Sequence, residues 1–213
     1  MTEDIDHLLI AVRRCTVCAP HLSHPPRPVL QFSASARLVI IGQAPGSRVH
    51  ASGVLWQDDS GERLREWTGL DHGAFYDAEQ TALMPMGFCY PGAAKGADLP
   101  PRPECAPLWH ARLLAHLKRT PLTLLVGIHA QGRYLRETSK RTMTETVRAF
   151  ADYAPAYFPL PHPSWRSTGW MRRNPWFEAK VIPALRQRVH AAFHSNLSAQ
   201  PAPLERSRPA FLS

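Results

Sequence analysis

Apolar residues recur at Ile5, Leu8, Leu9 and Val12, a spacing that predicts a helix over residues 5–14. The continuous apolar run at 37–41, Arg-Leu-Val-Ile-Ile, reads as a buried strand. Glu62 to Trp67 carry no breaker and Gly69 lies at their end, which predicts a helix through about Leu70 that Ser60 can cap. A second strand is expected at 82–86, Ala-Leu-Met-Pro-Met, with Pro85 marking its end or an irregularity. A Gly- and Pro-rich loop follows over 87–103, then an amphipathic helix over 104–119, a strand over 122–126 and a further helix after Gly127. Residues 142–151 and 175–193 complete the helices, with Phe-Pro-Leu-Pro-His-Pro-Ser at 158–164 between them. Strands that alternate with helices favour a three-layer α/β/α sandwich with a mainly parallel central sheet, in which ligands bind at the carboxyl ends of the strands.

Composition sets the scale of this fold. With 213 residues, 44% hydrophobic and 20% charged, the chain has the make-up of one soluble domain, placed at 1–194. The polar, Pro-rich residues 195–213 are expected to be a disordered tail. The longest apolar runs are far too short to span a bilayer, and residues 1–6 are acidic where a signal peptide would be basic, so a cytoplasmic protein without a membrane partner is expected. A net charge of +8, carried mostly by Arg, suits a polyanionic partner, although an Arg-rich proteome would give the same balance.

Candidate chemistry concentrates in two places. In GQAPGSRVHASGVLWQDDSG (42–61), Gly42 and Gly46 allow a sharp turn and close approach of a ligand directly after a strand, and Trp56 supplies a flat surface for a planar group. The four cysteines form a C-x-x-C pair, Cys15 and Cys18, and two later thiols, Cys89 and Cys105, flanking the Gly- and Pro-rich loop. Four thiols in an intracellular chain suit a metal better than disulfides, and the spacing serves zinc and an iron–sulfur cluster equally.

The stretch GQAPGSRVHASGVLWQDDSGERL resembles the first motif of the uracil-DNA glycosylase superfamily, above all its thermostable iron–sulfur branch, family 4, whose pattern opens Gly-Glu-Ala-Pro-Gly. In that register Gly53 matches the Gly of Gly-x-Pro-Phe, Trp56 the Phe that stacks on a flipped base, and Gly61 a helix-start glycine. Pro-Leu-Pro-His-Pro-Ser (159–164) is similar to the His-Pro-Ser loop that carries the family's catalytic His, and the cysteines fall where the branch has its own four. The likeness covers about residues 5–190.

It implies a base-flipping pocket. Gly42, Ala44, Trp56 and Met84 would bind the base, and Gln43 would read its edge or position water. His162 would donate a hydrogen bond to the oxygen that becomes negative as the base departs. Ser164, Trp165, Arg166, Arg172 and Arg173 would face DNA, with Trp165 filling the hole left by the nucleotide. Cys15, Cys18, Cys89 and Cys105 would hold a structural 4Fe-4S cluster, with zinc the alternative, and bring Lys95 and Arg102 towards DNA.

Two positions depart from the pattern. Val49 and His50 stand where the branch has acids, leaving His50, Asp58 or Asp59 as substitutes, and Pro85 stands where the family often has an Asn that reads uracil. The expectation is a monomeric, nucleoid-associated DNA glycosylase that hydrolyses uracil or another deaminated base in base excision repair. It would work without a Schiff-base lysine, because neither motif contains one. A binding protein that keeps fold and cluster without hydrolysis is the alternative.

Overall fold

The computed structural model describes residues 3–94, 96–119 and 121–194. The tail expected from residue 195 onward and Lys95 lie outside the described residues. Four parallel strands form the central sheet: β1 (Leu38–Ile41), β2 (Thr81–Leu83), β5 (Leu122–Val126) and β6 (Tyr157–Leu160), in the order β2-β1-β5-β6. Leu38 pairs with both Thr81 and Leu122, and Thr123 with Tyr157. A separate antiparallel hairpin joins β3 (Ala93–Ala94) to β4 (Ala97–Asp98).

Every residue of β1 and β5 is buried because both faces of the sheet are covered, which is why these strands read as unbroken apolar runs rather than alternating ones. Leu38 and Ile40 point into one core with Leu64 and Trp67 of α3 (Asp59–Thr68), Phe75 of α4 (His72–Tyr76), and Leu185 and Val189 of α9 (Ile182–His194). Val39 and Ile41 point the other way, against Leu8 and Val12 of α1 (Ile5–Arg13) and Ala106, Trp109 and Leu113 of α5 (Cys105–Leu114). Two cores, one on each face, make the three layers that the alternation of elements predicts.

The differences from expectation have local causes. Pro159 masks the strand β6 in the sequence; β6 lies at the sheet edge, where Pro159 can sit opposite Leu125 without costing a central ladder bond. The strand β2 stops at Leu83, before Pro85, although Met84 N–H still donates to the Ile40 carbonyl at 2.9 Å. Helix α3 is capped by Asp58, whose Oδ1 accepts from Gly61 N–H at 2.9 Å, and not by Ser60. Helix α5 ends at Leu114, short of the expected residue 119. The helices α2 (Ser47–Ser52) and α8 (Ser167–Arg173) were not expected; each is at most two turns and carries little periodicity. Helix α6 (Ile128–Leu135) follows Gly127 as expected, and α7 (Met143–Arg148) starts on a capping box of Thr142 and Glu145. The last helix is entered through a π-type turn over Phe177–Val181.

Candidate active site

A cleft of about 360 Å3 opens where the chain leaves β1 and β6 at their carboxyl ends. The turn after β1 contributes Gly42, Gln43, Ala44 and Gly46, the segment before α3 contributes Trp56 and Asp58, and the loop after β6 contributes His162, Ser164 and Arg166. Strand-end loops of a parallel sheet converge on one side because each strand enters the sheet in the same direction.

Trp56 is held in an unusual backbone conformation, φ +58, from which its ring lies over the glycine turn. The position is over-determined. A Cβ on Gly42 would stand 2.7 Å from Trp56 Cζ2 and displace the indole, and a Cβ on Gly61 would stand 1.7 Å from the Trp56 carbonyl oxygen, a main-chain clash that excludes a side chain there. Arg65 Nη1 donates to that same carbonyl at 3.3 Å, and the Tyr76 hydroxyl donates to the preceding Leu55 carbonyl at 3.0 Å. Locking a strained residue by several neighbours is how a fold holds a side chain ready for a ligand.

The His162 and Trp56 ring centroids lie 5.7 Å apart at an interplanar angle of 33°. The loop that carries His162 is pinned through its carbonyls: Arg63 Nη1 donates to Ser164 O at 2.7 Å, Ser167 Oγ donates to His162 O, and Gln131 Nε2 donates to Leu160 O at 2.9 Å. Gly127, at φ +85, lets the backbone before α6 pass the His162 side chain, with its Cβ position 3.6 Å from that of His162. Burial pushes the His162 pKa below its ordinary value, opposed by the carboxylate of Asp58, so the ring is neutral at pH 7 and carries one N–H to donate.

The other expected site residues divide. Gln43 and Ala44 line the cleft, and Gln43 Nε2 donates to the Leu99 carbonyl at 3.3 Å. Trp165 is 75% exposed with the Arg166 guanidinium 5.4 Å from its ring centroid, as an aromatic at a loop tip would be. Arg172 and Arg173 are exposed on the last turn of α8 and do not line the cleft.

Met84 is a correction. It is fully buried in the core under α1 and α5, because Ala82 and Met84 alternate with Leu83 in direction, and Pro85 is the residue that reaches the cleft. His50 also lies elsewhere than expected. The cleft lining includes Val49 but not His50, whose ring packs beside His24 and Tyr90 at 5.4 and 5.9 Å between centroids. Its Nδ1 is buried without a hydrogen-bond partner among the described residues, and burial first, then His24 and Arg27, lower its pKa. Asp59 is exposed on the first turn of α3, and Asp58 is at once cap and cleft wall.

Sequence reasoning missed Asp98 altogether. It stands on the β3–β4 hairpin and lines the cleft, with Oδ2 3.3 Å from the Cβ position of Gly46. Gly92 and Gly96, both at positive φ, are the only local sign of this hairpin, and they say nothing of where it folds.

A second, smaller cavity of about 20 Å3 is lined by all four cysteines, with Pro26, Pro28, Phe88 and Trp109 around them. Phe88 N–H donates to Cys105 Sγ at 3.3 Å. Burial pushes the Cys89 thiol up to about 11 and that of Cys105 up to about 12, so any metal bound there must displace protons. Among the described residues, no set of three or more His, Cys, Asp or Glu side chains is gathered tightly enough, as it stands, to hold a metal ion. The sheet order and the carboxyl-end cleft thus define an α/β protein with a pocket built from two strand-end loops.

A family model described as the Uracil DNA glycosylase superfamily matches residues 30–186, and the chain belongs to that superfamily. Its members are in general DNA glycosylases, so a function of that type, exercised on DNA, follows for this chain. No helix among the described residues is long and apolar enough to cross a membrane.

Proposed function

We propose that this protein is a monofunctional DNA glycosylase that hydrolyses the N-glycosidic bond of uracil, or of another deaminated base, in DNA. The observation that carries the proposal is the pairing of Trp56 with His162 across one cleft, their rings 5.7 Å apart. A flipped base would stack on the Trp56 indole and present a carbonyl oxygen to the neutral imidazole. As the C1′–N1 bond breaks, the electron pair passes to the base, and the His162 N–H bond strengthens with the charge on that oxygen. At the cleft mouth, exposed Trp165 is free to fill the stack and Arg166, which lines the cleft with Ser164, to meet phosphate, while Arg172 and Arg173 are exposed on α8.

Membership of the iron–sulfur branch, and with it a 4Fe-4S cluster on Cys15, Cys18, Cys89 and Cys105, is part of the same proposal. What supports it is that all four thiols line one shared cavity. A single zinc would need every sulfur about 2.3 Å from one centre. The cluster would supply no chemistry to the cleft; it would tie the amino-terminal segment to the loop that bears the hairpin.

Single-turnover release of uracil, hypoxanthine and xanthine from duplex and single-stranded DNA tests the activity. The expected result is release of at least one base, with His162→Ala slower by about 100-fold or more and equally folded. Tight binding to an abasic duplex with no release of any base would instead mark a DNA-binding protein without hydrolysis. For the metal, purified protein should show a broad visible absorption and about four irons by assay, both lost in Cys89→Ser; a colourless protein containing zinc would refute the cluster.

A further inference from the structure

The position where a first-motif acid is expected holds Val49, a buried apolar residue, and the next residue, His50, packs away from the cleft against His24 and Tyr90. Two carboxylates nevertheless line the cleft. Asp58 is committed to the N-terminus of α3, where its Oδ1 accepts from Gly61 N–H at 2.9 Å. Asp98 makes no side-chain hydrogen bond or salt bridge among the described residues. Its Oδ2 lies 3.3 Å from the Cβ position of Gly46, so the carboxylate rests over bare backbone in the turn that opens the motif.

The hairpin that carries it is tethered rather than free. Leu99 N–H donates to the Gly92 carbonyl at 2.9 Å, Ala93 pairs with Asp98, and the Gln43 side chain reaches from the glycine turn to the Leu99 carbonyl at 3.3 Å. We propose that Asp98 is the carboxylate that holds and activates the attacking water, supplied by the hairpin in place of the acid absent from the turn. This rests on the reading of the protein as a base-hydrolysing glycosylase.

The step balances without a further reactant. A water oxygen forms the bond to C1′ as the C1′–N1 bond breaks, the bonding pair leaves with the base, and the water proton passes to Asp98, which later returns it to the departed base anion or to solvent. The charged and titratable groups that face Asp98 are Asp58, Arg166, His162 and Tyr90. Partial burial raises the Asp98 carboxyl above its ordinary value, with Arg166 pulling it down and Asp58 pushing it up, which moves it towards the range where a general base works best.

Asp98→Asn and Asp98→Ala, assayed beside the wild type and His162→Ala, test the assignment. The readouts are single-turnover base release and binding to a duplex carrying a stable abasic analogue. The expected result is a fall in rate of about 100-fold or more in both Asp98 variants, with binding unchanged or tighter, since a negative charge facing DNA is lost. Full rate in Asp98→Asn, with His162→Ala impaired, would overturn the role of Asp98 and leave the glycosylase reading standing. Parallel loss of rate and binding would overturn it in favour of a role in holding the hairpin. A wild type that binds DNA but releases none of the bases would overturn the glycosylase reading itself, and the water-activating role with it.

Discussion

At the scale of single residues, the cleft is defined by what is left out as much as by what is present. Gly42 and Gly61 touch the same tryptophan from two directions, but the two contacts differ in kind. A methyl group at Gly42 meets the far edge of a side chain, which can swing aside; a methyl group at Gly61 meets a main-chain oxygen, which cannot. Gly42→Ala is therefore expected to fold with nearly wild-type stability and to lose base release by about 10-fold or more, because the stacking surface moves. Gly61→Ala is expected to lose about 2–4 kcal/mol in urea unfolding. Equal stability losses in the two variants would contradict this account. Trp56 and His162 were legible in sequence because each sits in a short contiguous motif whose spacing is preserved on folding. Asp98 was not, since nothing in residues 93–98 indicates that they fold back over Gly46.

Among the elements, short helices and edges were the hardest to read, and the reason is the same in each case: their stability comes from partners distant in sequence. Helix α2 has no periodic face to reveal it, and its last carbonyls are met from outside by Arg27, whose Nη1 donates to Ala51 O at 2.7 Å and to His50 O. Gly53, at φ +79, closes the helix, and a Cβ there would stand 2.7 Å from Arg27 Nη2. Arg27→Ala should cost about 1 kcal/mol, below the usual worth of a charged hydrogen bond because the side chain is exposed, and should be seen as a lower urea midpoint with an unchanged slope. No change in midpoint would mean that water serves those carbonyls as well. The strand β6 hid behind Pro159 for a related reason: proline is disfavoured in a central strand, and only the sheet order reveals that this strand is an edge.

Across the whole molecule, buried histidines couple the fold to pH. His110 is enclosed between α5 and α6 and stacks on Phe88 at 5.5 Å. Its Nε2 lies 3.1 Å from the Pro85 carbonyl, which can only accept, so the proton sits on Nε2, and Nδ1 accepts from the Tyr134 hydroxyl at 2.7 Å. Burial lowers its pKa to about 4. The unfolded chain, with a His pKa near 6.5, then binds the proton more readily than the folded one, so stability is full above about pH 6.5 and falls as the pH drops towards 4. Burial holds His50, His129 and His162 down as well, so they act in the same direction. His110 alone should account for about 3 kcal/mol across that window, read as a falling urea midpoint between pH 7 and 4.5 and a shallower fall in His110→Gln. A midpoint independent of pH would show that His110 is accessible to protons in the folded state.

The alternation of apolar runs with amphipathic stretches was enough to determine the layered α/β fold, and two short motifs were enough to determine the superfamily, because both are properties of neighbouring residues that folding leaves in order. Which side chains finally face the cleft was decided only in three dimensions. The pleat of β2 sends Met84 into the core and leaves Pro85 to reach the cleft, the packing of α2 turns His50 towards His24 and Tyr90, and a hairpin from a distant loop lays Asp98 over the glycine turn. Direction along a strand, the facing of a short helix and the landing point of a hairpin are all set by contacts between segments far apart in the chain, and local spacing carries no record of them.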